Sequence, residues 1–200
     1  MNKTDGHTEA VAAWLQKYSL KPDGYYLVVG RFVPENNYET IIREHMLSGT
    51  KRKLMIIATP NKQYLMRLEK ELHFREDIRI SFSEAIYEQK VLQGIRKNAF
   101  AYLHGHEVGG TNPSLLESMG CVKLNLLLDV DFNREVAEDT AFYWSKEKGS
   151  LSRLMAGVEE LTEEERTEIG KRATDRIKRF YPWKKICDSY EDLFTKIKER

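Results

Sequence analysis

Apolar residues along this chain alternate between two patterns. Short unbroken runs such as "YYLVVG" (Tyr25 to Gly30), "KLMIIA" (Lys53 to Ala58), "IRISF" (Ile78 to Phe82), "AFAYLH" (Ala99 to His104) and "VKLNLLL" (Val122 to Leu128) have the character of strands buried on both faces. Between them lie "NYETIIREHML", "QYLMRLEKEL", "EQKVLQGIRKN" and "PSLLESMG", where apolar positions recur at helical spacing. Strands separated by helices make repeated βαβ units, and these predict an α/β fold, a doubly wound parallel sheet of Rossmann-like type. "AFYW" reads as a last short strand, followed by a helical "GSLSRLMAGVEEL". Thr162 with Glu165 forms a capping box for a long charged helix that Pro182 stops. "WKKICDSYEDLFTKIKER" is a final amphipathic helix. The first residues supply an entry helix, "TEAVAAWLQKY", and a turn, "LKPDG". The division is therefore an entry helix and linker over 1–24, a binding domain over 25–182 and a terminal helix over 183–200.

Composition narrows the function classes. In 200 residues, 32 basic and 31 acidic side chains leave a formal charge of +1, which gives no support to broad electrostatic capture of nucleic acid or of an anionic membrane. An apolar share of 41% beside a charged share of 32% describes a globular protein. No run reaches the roughly 18 apolar residues of a spanning helix, and "MNKTDGHTEA" has no secretory apolar core. Cys121 and Cys187 lie far apart, and two buried free thiols in a reducing, cytoplasmic setting are expected.

In open parallel sheets, ligands bind beyond the carboxyl ends of the strands where the chain direction switches. Two such ends carry unusual residues. After the first strand comes "GRFVPENN", with Gly30 and Arg31. After the fourth comes "HGHEVGGTNPSLLESMG" (His104 to Gly120). Its Gly109 and Gly110 allow a close backbone approach, Asn112 suits an N-cap, and Pro113 suits the first helical position. A helix start there would aim unpaired N–H groups of Gly110, Thr111, Asn112 and Ser114 at an anion, with Pro113 opening the helix and Arg31 as the second anchor for a phosphate. Glu117, one turn on, would accept hydrogen bonds from sugar hydroxyls. Phosphate and ribose together describe a nucleotide. The plainer readings are that glycine and proline only punctuate a βα loop, that Arg31 pairs with a surface acid, and that Glu117 solvates a helix face. "HGH" offers half a metal site without further ligands at a recognisable spacing, so no metal is assigned. "VVGRFVPENN" lacks the three glycines of a dinucleotide fingerprint, which argues against a nicotinamide or flavin enzyme.

Three stretches, "VVGRFVPENNYETII", "GGTNPSLLESMG" and "DVDFNREVAED", occur in the order and spacing seen in glycosyltransferase family 4. There they belong to the C-terminal domain of the two-domain GT-B fold. The chain from about Tyr25 onward resembles most the bacterial rhamnosyltransferases that build capsule and cell-wall polysaccharide. That resemblance implies a domain that binds a nucleotide-sugar donor, with dTDP-rhamnose the best match. It further implies a retaining transfer, without a required metal or other cofactor, to a lipid-linked saccharide acceptor at the inner face of the plasma membrane. Arg31 and the backbone from Thr111 to Ser114 would hold the diphosphate, Glu117 the ribose, and the loops after Ala58 and Phe82 the base. Two positions depart from the family: Gly109 stands where the first glutamate of its paired-glutamate motif falls, and Asn36 replaces the lysine that often follows the arginine. His106 and Glu107 are the nearest candidates for a catalytic role, with a protonated or donating His106 neutralising charge on the leaving diphosphate. The family's acceptor-binding N-terminal domain has no counterpart in this chain, which predicts an excised donor half, inactive alone, whose terminal helix packs toward the other domain. A stand-alone nucleotide-binding module and a sugar-nucleotide epimerase are the alternatives.

Overall fold

A computed structural model describes residues 6–198. The first five residues of the expected linker and the last two of the expected terminal helix lie outside the described residues. Six strands, β1 (Tyr25–Val29), β2 (Lys53–Ile57), β3 (Ile80–Ser83), β4 (Ala101–His104), β5 (Leu124–Leu128) and β6 (Phe142–Trp144), form one sheet in the order β3-β2-β1-β4-β5-β6. Every pairing is parallel. The chain builds outward from β1 to β3, crosses back, and builds outward again from β4 to β6. The switch point falls between β1 and β4.

The strands have two apolar faces because both are covered. Tyr26, Val28, Leu54 and Ile56 turn to one side, where α2 (Tyr38–Leu47), α3 (Lys62–Leu72) and α7 (Ser150–Glu159) supply Ile41, Leu68 and Met155. Their sequence neighbours Tyr25, Leu27, Met55 and Ile57 turn to the other, against α1 (Gly6–Lys17) and α4 (Gln89–Lys97). Farther along that layer, α5 (Pro113–Met119) and α8 (Glu163–Phe180) close over Leu127. Period-two alternation with no polar side is what a central parallel sheet requires. The α1–α4 crossing is tight: a β-carbon at Gly94 would stand 2.5 Å from Val11 Cγ2.

The capping box at Thr162 and Glu165 is formed, with each side chain bonded to the other residue's backbone N–H. α8 stops at Phe180, before Pro182, and α9 (Trp183–Lys198) follows. One helix goes unannounced in the sequence pattern, and one expectation is corrected. The stretch "DVDFNREVAED" contains a helix, α6 (Asp131–Ala137), that hydrophobic periodicity does not announce, because only Asn133, Val136 and Ala137 are buried. Nor are the cysteines two buried thiols: Cys187 is exposed and Cys121 half-buried. Burial still pushes the Cys121 thiol up to about 11, so it is not ionised near neutrality.

Candidate functional site

β1 and β4 are hydrogen-bonded neighbours, so the loops that leave their carboxyl ends lie side by side. Three observations show how closely. Asn37 Nδ2 donates to the Gly105 carbonyl (2.8 Å) and to Glu107 Oε2 (3.0 Å). Glu107 N donates to the Glu35 carbonyl (3.1 Å). A β-carbon at Gly105 would stand 2.3 Å from the Asn36 carbonyl oxygen, so the middle residue of "HGH" must be glycine. Asn36 turns back and donates to the Arg31 carbonyl (2.7 Å), fixing the tight turn that follows β1. Asn37 thus clamps the two loops together, while Asn36 fixes the first of them.

Two cavities open on this edge and share Gly30, Arg31 and Val33. The first, about 530 Å³, is mostly apolar and runs under the β2 and β3 loops, between Pro60, Ile57, Ile86 and Tyr87. Tyr87 is 87% exposed, a large aromatic ring left standing at its mouth. The second, about 520 Å³, is more polar and lies between Arg31, Asn36, His106, Asn112 and Ser114. Arg31 sits where they join, exposed, and no hydrogen bond or ion pair of its guanidinium to another described residue is found. The expectation that it pairs with a surface acid does not hold.

The start of α5 differs from expectation. Asn112 caps it through its side chain, which accepts from Ser114 N (2.9 Å), while its carbonyl accepts from Leu115 N (3.0 Å) and Leu116 N (3.1 Å). Of the N–H groups expected to be unpaired, that of Ser114 is therefore engaged within the helix turn. The Ser114 hydroxyl is also turned inward, bonded to Tyr102 Oη (2.9 Å) and the Val29 carbonyl (3.2 Å). Gly109, at φ +122°, bends the loop, and Gly110 and Thr111 stand on its exposed lip. Positive charge on this edge thus rests on Arg31 more than on backbone N–H groups.

His106 lines the polar cavity, but not as a cation. Burial, then the neighbouring Arg31 charge, pushes its pKa down to about 4, so the ring is neutral at pH 7 and can donate only from one nitrogen. The expected protonated form is therefore disfavoured at rest. His106 stacks on the fully buried His104 (centroids 4.2 Å apart, 12° between planes), so ring faces and not nitrogens oppose each other. Among the described residues no group of three or more His, Cys, Asp or Glu side chains is placed to hold a metal ion. Glu107 lines neither cavity. It is tied to Asn37 and ion-paired with Lys146. Burial raises its carboxyl, and these two partners together outweigh that, leaving it below the ordinary carboxylate value. It braces the loop from outside the two cavities.

Glu117 is among the lining residues of neither cavity; it lines a recess of about 210 Å³ with Gln89, Gln93 and Arg96. Its carboxylate pairs with Arg96 at 2.8 Å. It is not a free helix-face acid. The sequence reading missed Arg96, Asn37 and Tyr87. An arginine on the otherwise apolar side of α4 was the available signal for the first.

No protein-family model matches the chain, and no curated protein matches it in sequence. Solved structures do. A glycosyltransferase from Rickettsia africae superimposes with a TM-score of 0.78 at 12% identity, over 98% of this chain and 53% of its own. Anabaena HepE, solved in complex with UDP and glucose, gives 0.79 at 12% identity, over 94% and 52%. The C-terminal domain of the Francisella tularensis glycosyl transferase group 1 protein LpcC gives 0.65 at 16% identity, over 86% and 92%. The fold is that of the C-terminal half of a GT-B enzyme. The chain spans about half the length of the first two of these proteins. In this fold both cavities lie at the carboxyl edge of the sheet, the polar one at the switch point between β1 and β4. Among the described residues no helix is long and apolar enough to cross a membrane.

Proposed function

We propose that this chain is the nucleotide-sugar-binding half of a retaining glycosyltransferase, with dTDP-rhamnose as donor and a growing capsular or cell-wall polysaccharide as acceptor. The observation that carries the reading is Arg31, an uncommitted guanidinium where an apolar cavity meets a polar one. A nucleotide sugar has that shape and that order: a flat base, a diphosphate and a hydroxylated ring. The base enters between Pro60 and Tyr87, the diphosphate meets Arg31, and the sugar lies toward His106 and Asn36. The apolar lining of the first cavity suits thymine, whose methyl group gains from it. Anabaena HepE, a fold neighbour, was solved with UDP and glucose, which supports a nucleotide at this edge.

The roles follow from the surroundings. Arg31 offsets charge that builds on the departing diphosphate. Neutral His106 donates one hydrogen bond to the leaving phosphate or the sugar. Glu107 positions the loop that carries His106. Glu117, one turn beyond Ser114 on α5, accepts from the 3′-hydroxyl of the donor's deoxyribose. The acceptor is bound by a second domain at the membrane face. On α9 the exposed Tyr190, Phe194 and Ile197 form an apolar strip suited to packing on it.

A thermal-shift screen of dTDP-rhamnose, dTDP-glucose, UDP-glucose and GDP-mannose tests the reading. A ligand at 100 times its Kd stabilises the native state by about 2.7 kcal/mol. Stabilisation greatest with dTDP-rhamnose is expected. No shift with any of the four would overturn donor binding, and interconversion of a free nucleotide sugar would make the protein an epimerase.

A further inference from the structure

Arg96 is 2% exposed, at the last turn of α4, and buried guanidinium groups are costly unless every partner is in place. Its Nη1 pairs with Glu117 (2.8 Å), and its Nη2 donates to the Ser114 hydroxyl (3.2 Å). That hydroxyl lies 2.9 Å from Tyr102 Oη, and both lie within reach of the Val29 carbonyl (3.2 and 3.1 Å), with the two hydroxyl protons serving two of these three contacts at a time. Val29 immediately precedes Gly30 and Arg31. A continuous polar chain therefore runs from the half-exposed Glu117 carboxylate, through a buried arginine, to the peptide that carries the cavity-joining cation. The Arg96 Nε atom is buried without a hydrogen-bond partner, so the geometry favours the side-chain contacts to Glu117 and Ser114 over full satisfaction of the arginine itself.

We propose that Arg96 is a positioning residue that holds the Glu117 carboxylate for the 3′-hydroxyl of the nucleotide's pentose. The inference rests on the donor-site reading above. A glutamate side chain at an exposed helix position samples several rotamers, and ordering it on binding costs affinity. Pairing with a buried guanidinium removes that freedom beforehand. The same cation offsets the repulsion that an unpaired carboxylate would exert on the diphosphate nearby. One oxygen, Oε2, faces Arg96, which leaves Oε1 to accept from a sugar hydroxyl.

Calorimetric titration with dTDP, UDP and inorganic pyrophosphate of wild type, Arg96→Lys, Glu117→Gln and the double variant is the test. Arg96→Lys keeps the charge but not the forked geometry. It should weaken the tighter nucleotide by about 5- to 20-fold, roughly 1.0–1.8 kcal/mol, and leave pyrophosphate affinity unchanged. In the Glu117→Gln background the same change should cost less than about 2-fold, because the group it acts through is gone. Equal losses in both backgrounds, or a matching loss of pyrophosphate, would show a merely structural arginine and overturn the proposal. A folded Arg96→Lys variant with wild-type nucleotide affinity would overturn it as well. If wild type binds no nucleotide, the donor-site reading itself falls, a distinct outcome. Should Arg96→Lys not fold, the guanidinium 1H–15N resonances of Arg96 in wild-type protein decide: they should shift on adding dTDP and not on adding pyrophosphate, and the absence of that difference refutes the role.

Discussion

His106 packs against Gly30 so closely that a β-carbon at position 30 would stand 3.1 Å from His106 Cε1 and 3.4 Å from Nε2. The glycine after β1 therefore seats the imidazole of the neighbouring loop. Gly30→Ala must push that ring toward the polar cavity. Overpacking of this kind costs about 1–3 kcal/mol, and because both cavities share Gly30, donor affinity should fall as well. Denaturant midpoints and calorimetry on the same variant check both effects; unchanged affinity with a lowered midpoint would take His106 out of the site.

The histidines give the protein a predictable acid sensitivity. Burial pushes His45 and His106 down to about 4 and His104 well below its ordinary value. In the unfolded chain they bind protons near 6.5, so between about pH 6.5 and 4 the unfolded state holds more protons. Stability is then present above pH 6.5 and lost as pH falls, with a slope of at most about 1.4 kcal/mol per pH unit for each histidine. Urea denaturation at pH 7.5 and 5 should show the loss, and His45→Gln should make it shallower. A flat profile would contradict the neutral assignments.

Glu44, fully buried on α2, accepts from Gly149 N (2.9 Å) and Ser152 N (3.2 Å) and so caps α7 from a distance. Glu44→Ala leaves two buried N–H groups unpaired, at about 1–3 kcal/mol for a lost buried partner. Glu44→Gln keeps one acceptor oxygen and should lose less. Thermal midpoints of both variants measure the difference, and equal midpoints would deny the cap.

Arg31 and Tyr87 should fail separately. Arg31→Ala should weaken dTDP and pyrophosphate together by about 10-fold or more, as expected for a charge-assisted contact of about 1.5–3 kcal/mol. Tyr87→Ala should weaken dTDP by about 3- to 10-fold through lost ring stacking and leave pyrophosphate unaffected. Titration of both variants with both ligands separates them; a pyrophosphate loss in Tyr87→Ala would contradict the division of the site into base and phosphate ends.

The sheet was legible because each strand is a run such as Lys53–Ile57, apolar on both faces, which only a covered parallel sheet explains. α6 was not, because a helix of seven residues exposing Asp131, Arg134 and Glu135 has too little periodicity to register. Arg31 and the strand ends that flank it could be read from loop position alone. The engagement of Asn112 with Ser114 N could not: an N-cap residue and an anion compete for the same N–H groups, and sequence does not say which holds them. The Arg96–Glu117 pair was hidden for another reason. Its partners are 21 positions apart on different helices, and only the crossover from α4 through β4 to α5 brings them together.

The central claim is that a nucleotide diphosphate occupies the edge between β1 and β4. Titrating 15N-labelled protein with dTDP, and following backbone amides by 1H–15N correlation spectra, tests its location most directly. The account predicts shifts concentrated at Gly30, Arg31, Asn61, Tyr87, Ser114 and Glu117, saturating together. Shifts confined to the groove between α1 and α4, around Val11 and Leu15, or spectra unchanged at saturating dTDP, would contradict it.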